Sequence, residues 1–231
     1  MKVIMVNYDE LPLFPLHVVL YPEMPLPLHI FEPRYREMVH RCRAANSPFG
    51  VILIREDEAA VPHSVGTAAR ITHHEALPDG RMNIIVTGET RFRVLEVQRH
   101  RPYLTARVEP VSEEDTDPAR LAPPFKTVSG MFRDYLRSVS ALAGRPLSAL
   151  QLPQDPEFLS YAIAMFLQIP LSEKQRLLEM TATEARLRRE IELLGHEIEA
   201  QETLQKAVRT QGRCIITPVD TEALGKLASR N

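Results

Sequence analysis

Residues 11–35 read LPLFPLHVVLYPEMPLPLHIFEPRY, a run of leucine, valine and proline that ends in a change of pattern. Proline cannot donate to a strand ladder, so strands in this run must be short, bulged or at a sheet edge. Glu32-Pro33 then predicts a helix start, because a proline at the first helical position loses no hydrogen bond. The apolar residues that follow at helical spacing predict one buried face: Tyr35, Met38, Val39 and Cys42. We expect this helix to end near Asn46.

Further strand-like stretches continue to residue 111. They are Phe49–Arg55, Val65–Glu75, Met82–Thr87, Arg91–Gln98 and Tyr103–Val111. Asp79-Gly80 supplies the positive φ that a tight hairpin requires, and Gly88-Glu89-Thr90 predicts another turn. About six or seven short strands at close spacing are typical of a small barrel or rolled sheet.

An acidic, polar stretch at residues 112–118, SEEDTDP, predicts a domain boundary, and the pattern beyond it is helical. The first predicted helix covers residues 119–143, and Pro123-Pro124 should delay its start. The second covers 155–168 and begins at Asp155. Two capping boxes, Ser172–Gln175 and Thr181–Glu184, predict two further helix starts. The last helix should reach about Gln211, and its apolar stripe predicts packing within its own bundle rather than on a partner: Leu187, Ile191, Leu194 and Ile198. The residues after 212 have too little pattern to assign, although Cys214-Ile215-Ile216 would suit a strand.

Composition excludes several classes of protein. The formal net charge is −2, so the chain as a whole is not an electrostatic binder of nucleic acid. Cys42 and Cys214 lie far apart, which suits a reducing compartment and predicts no disulfide framework. The N-terminal apolar run is too short for a signal peptide, and no stretch approaches the ~20 apolar residues that span a bilayer. We therefore expect a soluble cytoplasmic protein.

No motif for catalysis, cofactor binding or metal binding emerges. Gly225-Lys226-Leu227 lacks the upstream glycine and the hydroxyl of a phosphate-binding loop, and neither GxGxxG nor GxSxG occurs. His73 and His74 are adjacent on a predicted strand and point to opposite faces, so they cannot chelate together without a bulge. His29 lies in an apolar run beside Phe31 and is interpreted as a core histidine with its hydrogen bonds satisfied. We predict no catalytic residue, no cofactor and no metal ligand.

Arginine is concentrated on the first helix and on the late strands: Arg34, Arg36, Arg41, Arg43, Arg91, Arg93, Arg99, Arg101 and Arg107. Such clusters suit phosphate or an acidic partner. The favoured interpretation is a solvated surface paired with neighbouring glutamates, namely Glu32, Glu37, Glu96 and Glu109, because aromatic residues that would stack on bases are few.

Several stretches, taken in order, resemble the Lon substrate-binding domain. This is the N-terminal domain of Lon proteases, and it also occurs in free-standing proteins and in cereblon-like ubiquitin-ligase receptors. The most specific stretch is 11–35, with its proline spacing followed by HIFEPRY. The others are VGTAARI at 65–71, LPDGR at 77–81, GETRFRV at 88–94 and LSEKQRLLE at 171–179. The resemblance covers about residues 10 to 205.

The resemblance implies an α+β protein, a PUA-like β-barrel followed by a C-terminal α-helical bundle. We assign the barrel to residues 1–113, the bundle to 114–211 and a C-terminal tail to 212–231. In Lon proteases this region helps to capture unfolded or degron-bearing substrates, whereas the ATPase and peptidase lie further along than this chain reaches. We therefore expect a free-standing, non-catalytic module that binds such polypeptides or a protein partner, as an adaptor or holdase in protein turnover.

Binding would require apolar side chains left exposed. The predicted contact residues are Tyr21, Met24, Leu26, Phe31 and Tyr35, with the segment Tyr21–Leu26 and a cleft between barrel and bundle as the expected places. The same residues also have structural interpretations, which are favoured. Phe31 and Tyr35 would plug the barrel end, and Glu32 would cap the helix or pair with an arginine such as Arg93.

Two other functions stay open. PUA-like barrels also occur in RNA-binding proteins, although the near-neutral charge and the few aromatic residues argue against that alternative. A cryptic hydrolase is the weaker one. No membrane partner is expected, and homo-oligomerisation stays open.

Overall fold

The computed structural model describes residues 8–55, 62–142 and 151–211, which form a mixed α+β protein as predicted. The strands are β1 Leu11–Leu16, β2 Pro25–Ile30, β3 Phe49–Leu53, β4 Val65–Ala76, β5 Met82–Gln98 and β6 Thr105–Pro110. The helices are α1 Pro33–Ala45, α2 Pro118–Leu142, α3 Pro156–Phe166, α4 Leu171–Glu179 and α5 Thr183–Gln211.

The six strands form one sheet in the order β2-β5-β4-β3-β1-β6, with an additional pairing of β5 with β6. Among the strands of the described ranges, only β1 and β3 pair in parallel. The long β5 pairs with β2 over residues 82–87, with β4 over residues 82–93 and with β6 over residues 92–98. Among the described strands, β2 pairs only with β5 and is therefore an edge strand, in agreement with its prolines.

The turn predicted at Gly88-Glu89-Thr90 is wrong, because β5 continues through it. Gly88 is needed there for a close approach of main chains. A Cβ at this position would lie 2.3 Å from the carbonyl oxygen of Tyr21. The amide of Gly88 donates to the carbonyl of Met24 at 3.0 Å, which fastens the chain before β2 to β5. The predicted hairpin between β4 and β5 is correct, and Gly80 has φ 81.

Helix α1 follows its local signals. Pro33 lies at the start, Asn46 ends the helix with φ 48, and the four predicted apolar residues are buried. Glu32 makes no side-chain cap but pairs with an arginine, as one of the two predicted roles required, although the partner is Arg34 at 2.7 Å and not Arg93. The interior of the sheet is filled by an apolar cluster of Leu11, Leu13, Ile52, Ala68, Phe92, Ala106 and Val108.

Helix α4 packs on the sheet. Gln175 donates to the carbonyl of Val65 at 3.0 Å, and the hydroxyl of Tyr21 donates to the carbonyl of Lys174 at 2.9 Å. The helix begins at Leu171 after Pro170, without a side-chain cap, so the capping box predicted for Ser172–Gln175 is wrong. Its glutamine is used in a contact across the fold.

Arg91 of β5 holds the end of α4. Its guanidinium donates to the carbonyl oxygens of Leu178 at 2.8 Å and Met180 at 2.6 Å. The same group pairs with Glu113 at 2.6 Å, and the arginine is only 3% exposed. One buried side chain thus joins a strand, the end of a helix and a glutamate of the acidic stretch.

Contacts divide the chain into two compact units. The first contains residues up to 113 together with 170–181, and the second contains 114–169 and 182 onward. The stretch assigned to the bundle, 114–211, is therefore shared between the units, because α4 packs on strands. The predicted tail, 212–231, lies outside the described residues.

The second unit consists of α2, α3 and α5. Helix α2 begins at Pro118 behind Asp117, whose carboxylate accepts from the amide of Ala119 at 2.9 Å. Pro123 and Pro124 lie inside the helix, so they do not delay its start. Asp155 caps α3 as predicted, accepting from the amide of Phe158 at 2.8 Å.

Helix α5 runs to Gln211 as predicted, but it begins at Thr183, inside the predicted capping box at Thr181–Glu184. Its Leu187 and Leu194 are buried in the second unit. Three polar side chains are also buried there: Arg186 Nε donates to the hydroxyl of Ser160 at 2.7 Å, and that hydroxyl donates to Glu190 at 2.7 Å. Among the described residues, no helix is both long and apolar enough to cross a membrane.

Candidate binding surface

The structure separates the five predicted contact residues into two groups. Tyr21 and Met24 are each 1% exposed, and Tyr35 packs on Phe14 with ring centroids 4.3 Å apart. Leu26 is partly buried, whereas Phe31 is 59% exposed. Of the predicted set, only Leu26 and Phe31 therefore present apolar surface. The interpretation of Phe31 as a plug of the barrel end is wrong. The burial of Tyr35 agrees with the same interpretation for that residue.

The segment Tyr21–Leu26 is not the open apolar surface that the sequence suggested. Tyr21, Pro22 and Met24 are buried, and the exposed residue between them is Glu23 with φ 62. The amide of Met24 donates to the carbonyl of Tyr21 at 3.2 Å, closing a tight turn. This turn directs its apolar side chains inward, because β5 and α4 both offer partners for it.

Side chains of β2 alternate between the two faces of the sheet, as in any strand. Ile30 is buried and Leu26 and Leu28 are partly buried on one face, whereas Pro27, His29 and Phe31 are exposed on the other. We call these three exposed residues, with Ile85 beside them, the β2 face. Ile85 is opposite Pro27 in the register and adds apolar area next to it.

A hydrogen-bonded chain of polar residues borders this face. Asn83 donates to Glu75 at 2.9 Å, so its carbonyl oxygen is left to accept from Nδ1 of His29 at 2.8 Å. Arg81 Nη1 lies 3.5 Å from Nε2 of the same histidine and pairs with Asp79 at 2.6 Å. The prediction that His29 lies in the core is wrong, because its ring is exposed, hydrogen-bonded and stacked near Phe31 at 6.2 Å.

An exposed aromatic ring with a polar border has the anatomy of an interaction hot spot. Arg34 follows Phe31 in the chain, and its guanidinium lies 4.6 Å from the centre of the Tyr35 ring and pairs with Glu32. A flat apolar ring held among fixed polar groups can accept apolar side chains of a partner. The sequence signal for Pro27 and His29 is the alternation along β2, which places them on the same face as Phe31, although neither residue was among the predicted contacts.

The main chain of β2 excludes one mode of binding. Gly88 donates to Met24, so the alternate residues Leu26, Leu28 and Ile30 bond to β5, and Pro25, Pro27 and His29 turn their main chain outward. Two of those three outward residues are prolines without an N–H. A partner strand added at this edge would find three carbonyl acceptors but only one donor, so regular strand pairing is disfavoured and side chains become the main source of contacts at the β2 face.

The predicted arginine cluster on the late strands is a paired surface. Arg93 lies 3.6 Å from Glu109, and Arg107 lies 3.6 Å from Glu96, as the favoured interpretation expected. Arg91 is buried and used inside the fold. This arrangement does not favour the RNA-binding alternative, because the cluster offers few uncompensated charges.

The histidines that were considered as metal ligands stay apart. His73 is opposite Ile85 and His74 is opposite Ile84, so they point to opposite faces, although the ladder has an irregularity just before His73. Within the described ranges, no group of three or more His, Cys, Asp or Glu side chains is placed to hold a metal ion.

Comparisons with known proteins agree with this fold. The chain is 26% identical over 211 residues to the Lon protease of Buchnera aphidicola, covering 89% of this chain and 27% of that protein. It is 27% identical over 212 residues to the Lon protease of Escherichia coli K12, covering 87% of this chain and 26% of that protein. The chain thus spans about a quarter of the length of these curated relatives.

Two solved structures are similar. A Lon N-terminal domain protein from Xanthomonas campestris superposes with a TM-score of 0.60 at 27% identity, covering 78% of this chain and 96% of that one. The N-terminal domain of a Mycobacterium avium complex Lon protease superposes with a TM-score of 0.60 at 19% identity, covering 81% and 98%, and supports the fold alone.

The family model of the ATP-dependent protease La (LON) substrate-binding domain matches residues 10–196. This match covers most of the chain and includes both units. The chain therefore belongs to the Lon substrate-binding domain family, as the resemblance of residues 11–35 indicated.

Proposed function

We propose that this chain is a non-catalytic module that recognises unfolded or degron-bearing polypeptides in the cytoplasm, as an adaptor or holdase. Membership of a substrate-binding domain family supports recognition as the role. The observation that carries the proposal is Phe31, which is 59% exposed on the β2 face within a hydrogen-bonded border. We further propose that the first unit is a PUA-like barrel, which the pairings of β5 with both β4 and β6 support.

The β2 face suits an apolar partner segment of irregular conformation. Phe31, Pro27 and Ile85 offer apolar contact area, while the missing donors of β2 disfavour pairing with a regular strand. Such a surface recognises the side chains of the partner segment and does not require a particular main-chain conformation. Unfolded polypeptides present many different backbone conformations, so this selection fits them.

The test is fluorescence anisotropy with labelled, reduced and carboxymethylated α-lactalbumin, a permanently unfolded polypeptide. Phe31→Ala should weaken binding by about 30-fold, the size of a hot-spot residue. The matched control is Leu95→Ala, which removes another large apolar side chain, 45% exposed on β5. Equal affinities of the two variants would contradict the role of the β2 face.

Holdase action is tested separately by light scattering of heat-denatured citrate synthase. The wild-type chain should suppress aggregation, and Phe31→Ala should suppress it less than Leu95→Ala. Binding without suppression would leave the adaptor role and remove the holdase role.

A further inference from the structure

A cleft lies beside the second half of β4, where that strand has a partner on one side only. Phe49 of β3 pairs with Ala69 of β4, so a longer β3 would begin alongside residues 70–74. The chain instead arrives from α1 through Asn46, whose φ of 48 turns it sharply towards Pro48. Within the described part of the chain, no strand covers residues 70–74 on this side. The space left measures about 250 Å³.

Positive and neutral donors line this cleft without an acid among them. Arg43, Arg70, His73 and His74 contribute side chains, and the remaining lining residues are uncharged. Arg70 is already satisfied, because it pairs with Glu89 at 2.5 Å and donates to the carbonyl of Asn46 at 3.1 Å.

Arg43 is the cation that is available. Its Nη1 lies 3.2 Å from Nε2 of His74, and among the described residues it has no carboxylate partner. Every other nitrogen of its planar guanidinium is left for a ligand. The guanidinium fork matches the two oxygens of a carboxylate better than any other side chain does.

The contact between Arg43 and His74 is compatible only with a neutral imidazole, whose Nε2 accepts. Burial, then the charge of Arg43 and the neighbouring His40 and His73, lower the pKa of His74. An anion in the cleft reverses this situation, since both side chains can then donate to it. The cleft therefore has cationic and neutral donors and, among its described lining residues, no acidic side chain to balance them.

We propose that this cleft binds the carboxylate of an extended polypeptide segment, held by Arg43 and by His74. The inference rests on the proposed function, because it names the chemistry of the polypeptide that is recognised. The one-sided edge at residues 70–74 supports an extended ligand, since an added segment would pair main-chain groups that lack a strand partner. The carboxylate comes from an aspartate or glutamate side chain or from a chain terminus.

The test uses fluorescein-labelled peptides of alternating valine and threonine, measured by anisotropy at physiological salt. One peptide carries a central aspartate and its counterpart an asparagine, and each is made with a free and with an amidated C-terminus. At least one carboxylate should tighten binding to the wild-type chain by about tenfold, the value of one charge-assisted hydrogen bond. The two pairs of peptides show whether it is the side chain or the terminus.

Arg43→Gln should abolish the preference for the carboxylate. The matched control is Arg41→Gln, which removes the same charge from an exposed position of α1 that does not line the cleft. At this ionic strength a Debye length of about 8 Å screens the more distant charge, so the control should keep the preference. Equal losses in the two variants would show a general charge effect and overturn the site.

His74→Gln adds a readout in pH. Protonation of His74 adds a second cationic donor, so the preference of the wild-type chain should grow as pH falls below 6.5, the ordinary pKa of histidine, and the variant should not show this growth. The charged groups near His74 are Arg43 and His40 from α1, His73 on β4, and Arg70, which is neutralised by Glu89 of β5.

The outcomes separate this inference from the proposed function. If all four peptides bind alike and Phe31→Ala weakens them, the module binds polypeptides and the carboxylate site is wrong. If no peptide and no unfolded protein binds, both are wrong. Circular dichroism melting of each variant checks that the fold is intact.

Discussion

Replacement of Arg91 by methionine should lower the free energy of unfolding by about 3–5 kcal/mol, the cost of removing one partner of a buried ion pair. Methionine retains most of the apolar stem, so the change isolates the guanidinium. That group donates to two carbonyls at the end of α4 and to the carboxylate of Glu113.

The magnitude follows from these partners. Each hydrogen bond to a charged group contributes about 1.5–3 kcal/mol, so complete loss of all three would cost about 4.5–9 kcal/mol. Water that reaches Glu113, whose side chain is 18% exposed, recovers part of this loss. The expected value is still a large share of the ~5–15 kcal/mol that stabilises a typical protein.

Urea unfolding followed by far-ultraviolet circular dichroism measures the effect, since the chain has no tryptophan to report it. Two units can unfold in two transitions, and the transition that involves the sheet is the one that should shift. Arg93→Met is the matched control. Arg93 is exposed and forms a loose surface pair with Glu109 at 3.6 Å, so its replacement should change the free energy of unfolding by less than about 0.5 kcal/mol. Equal shifts for the two variants would refute the role of Arg91 as a clamp.

Three further predictions concern single residues. Gly88→Ala should destabilise the fold by about 1–3 kcal/mol, because its Cβ would meet the carbonyl of Tyr21 at 2.3 Å; an unchanged urea midpoint would contradict this. The hydrogen bond from Arg101 lowers the pKa of Glu10 from 4.5 to about 2, so the stability it contributes is present above pH 4.5 and is lost as pH falls towards 2. Glu10→Gln should remove that acid dependence, as measured by urea midpoints across this range, and unaltered curves would exclude the pair. Burial raises the pKa of Glu190 well above 4.5, so the favourable protonated form is lost as pH rises, and Glu190→Gln should gain stability relative to the wild type from pH 4.5 upward.

Features with local causes could be predicted from the sequence. Helix α1 begins at Pro33 and ends at Asn46, since proline geometry and a left-handed cap act within one turn of the chain. The cap at Asp155 and the hairpin at Gly80 are correct for the same reason.

Features with distant causes could not be predicted. Gly88 looked like a turn residue, although its size is needed for the carbonyl of Tyr21, which lies far away in sequence. Gln175 looked like part of a cap, although it bonds to Val65. Both errors arose because a residue type was assigned its commonest local role.

The candidate surface was predicted in part. Phe31 was selected from the sequence as a contact, and the structure leaves it exposed. Tyr21 and Met24 were predicted as contacts together with Phe31, but α4 and β5 bury them. No sequence signal near residue 21 predicts that a helix beginning at residue 171 will pack there. The cleft at Arg43 and His74 depends on where β3 begins, which only the pairing register reveals.

The late position of α4 in the chain has a consequence for biosynthesis. The sheet of the first unit is complete at Pro110, but the helix that supplies the partners of Arg91 starts at Leu171. At about 5–20 residues per second, a ribosome needs several seconds to make the intervening segment. During that delay Arg91 can pair with Glu113 but lacks the carbonyl oxygens of Leu178 and Met180, so we expect the first unit to depend on chaperones until α4 emerges and completes it.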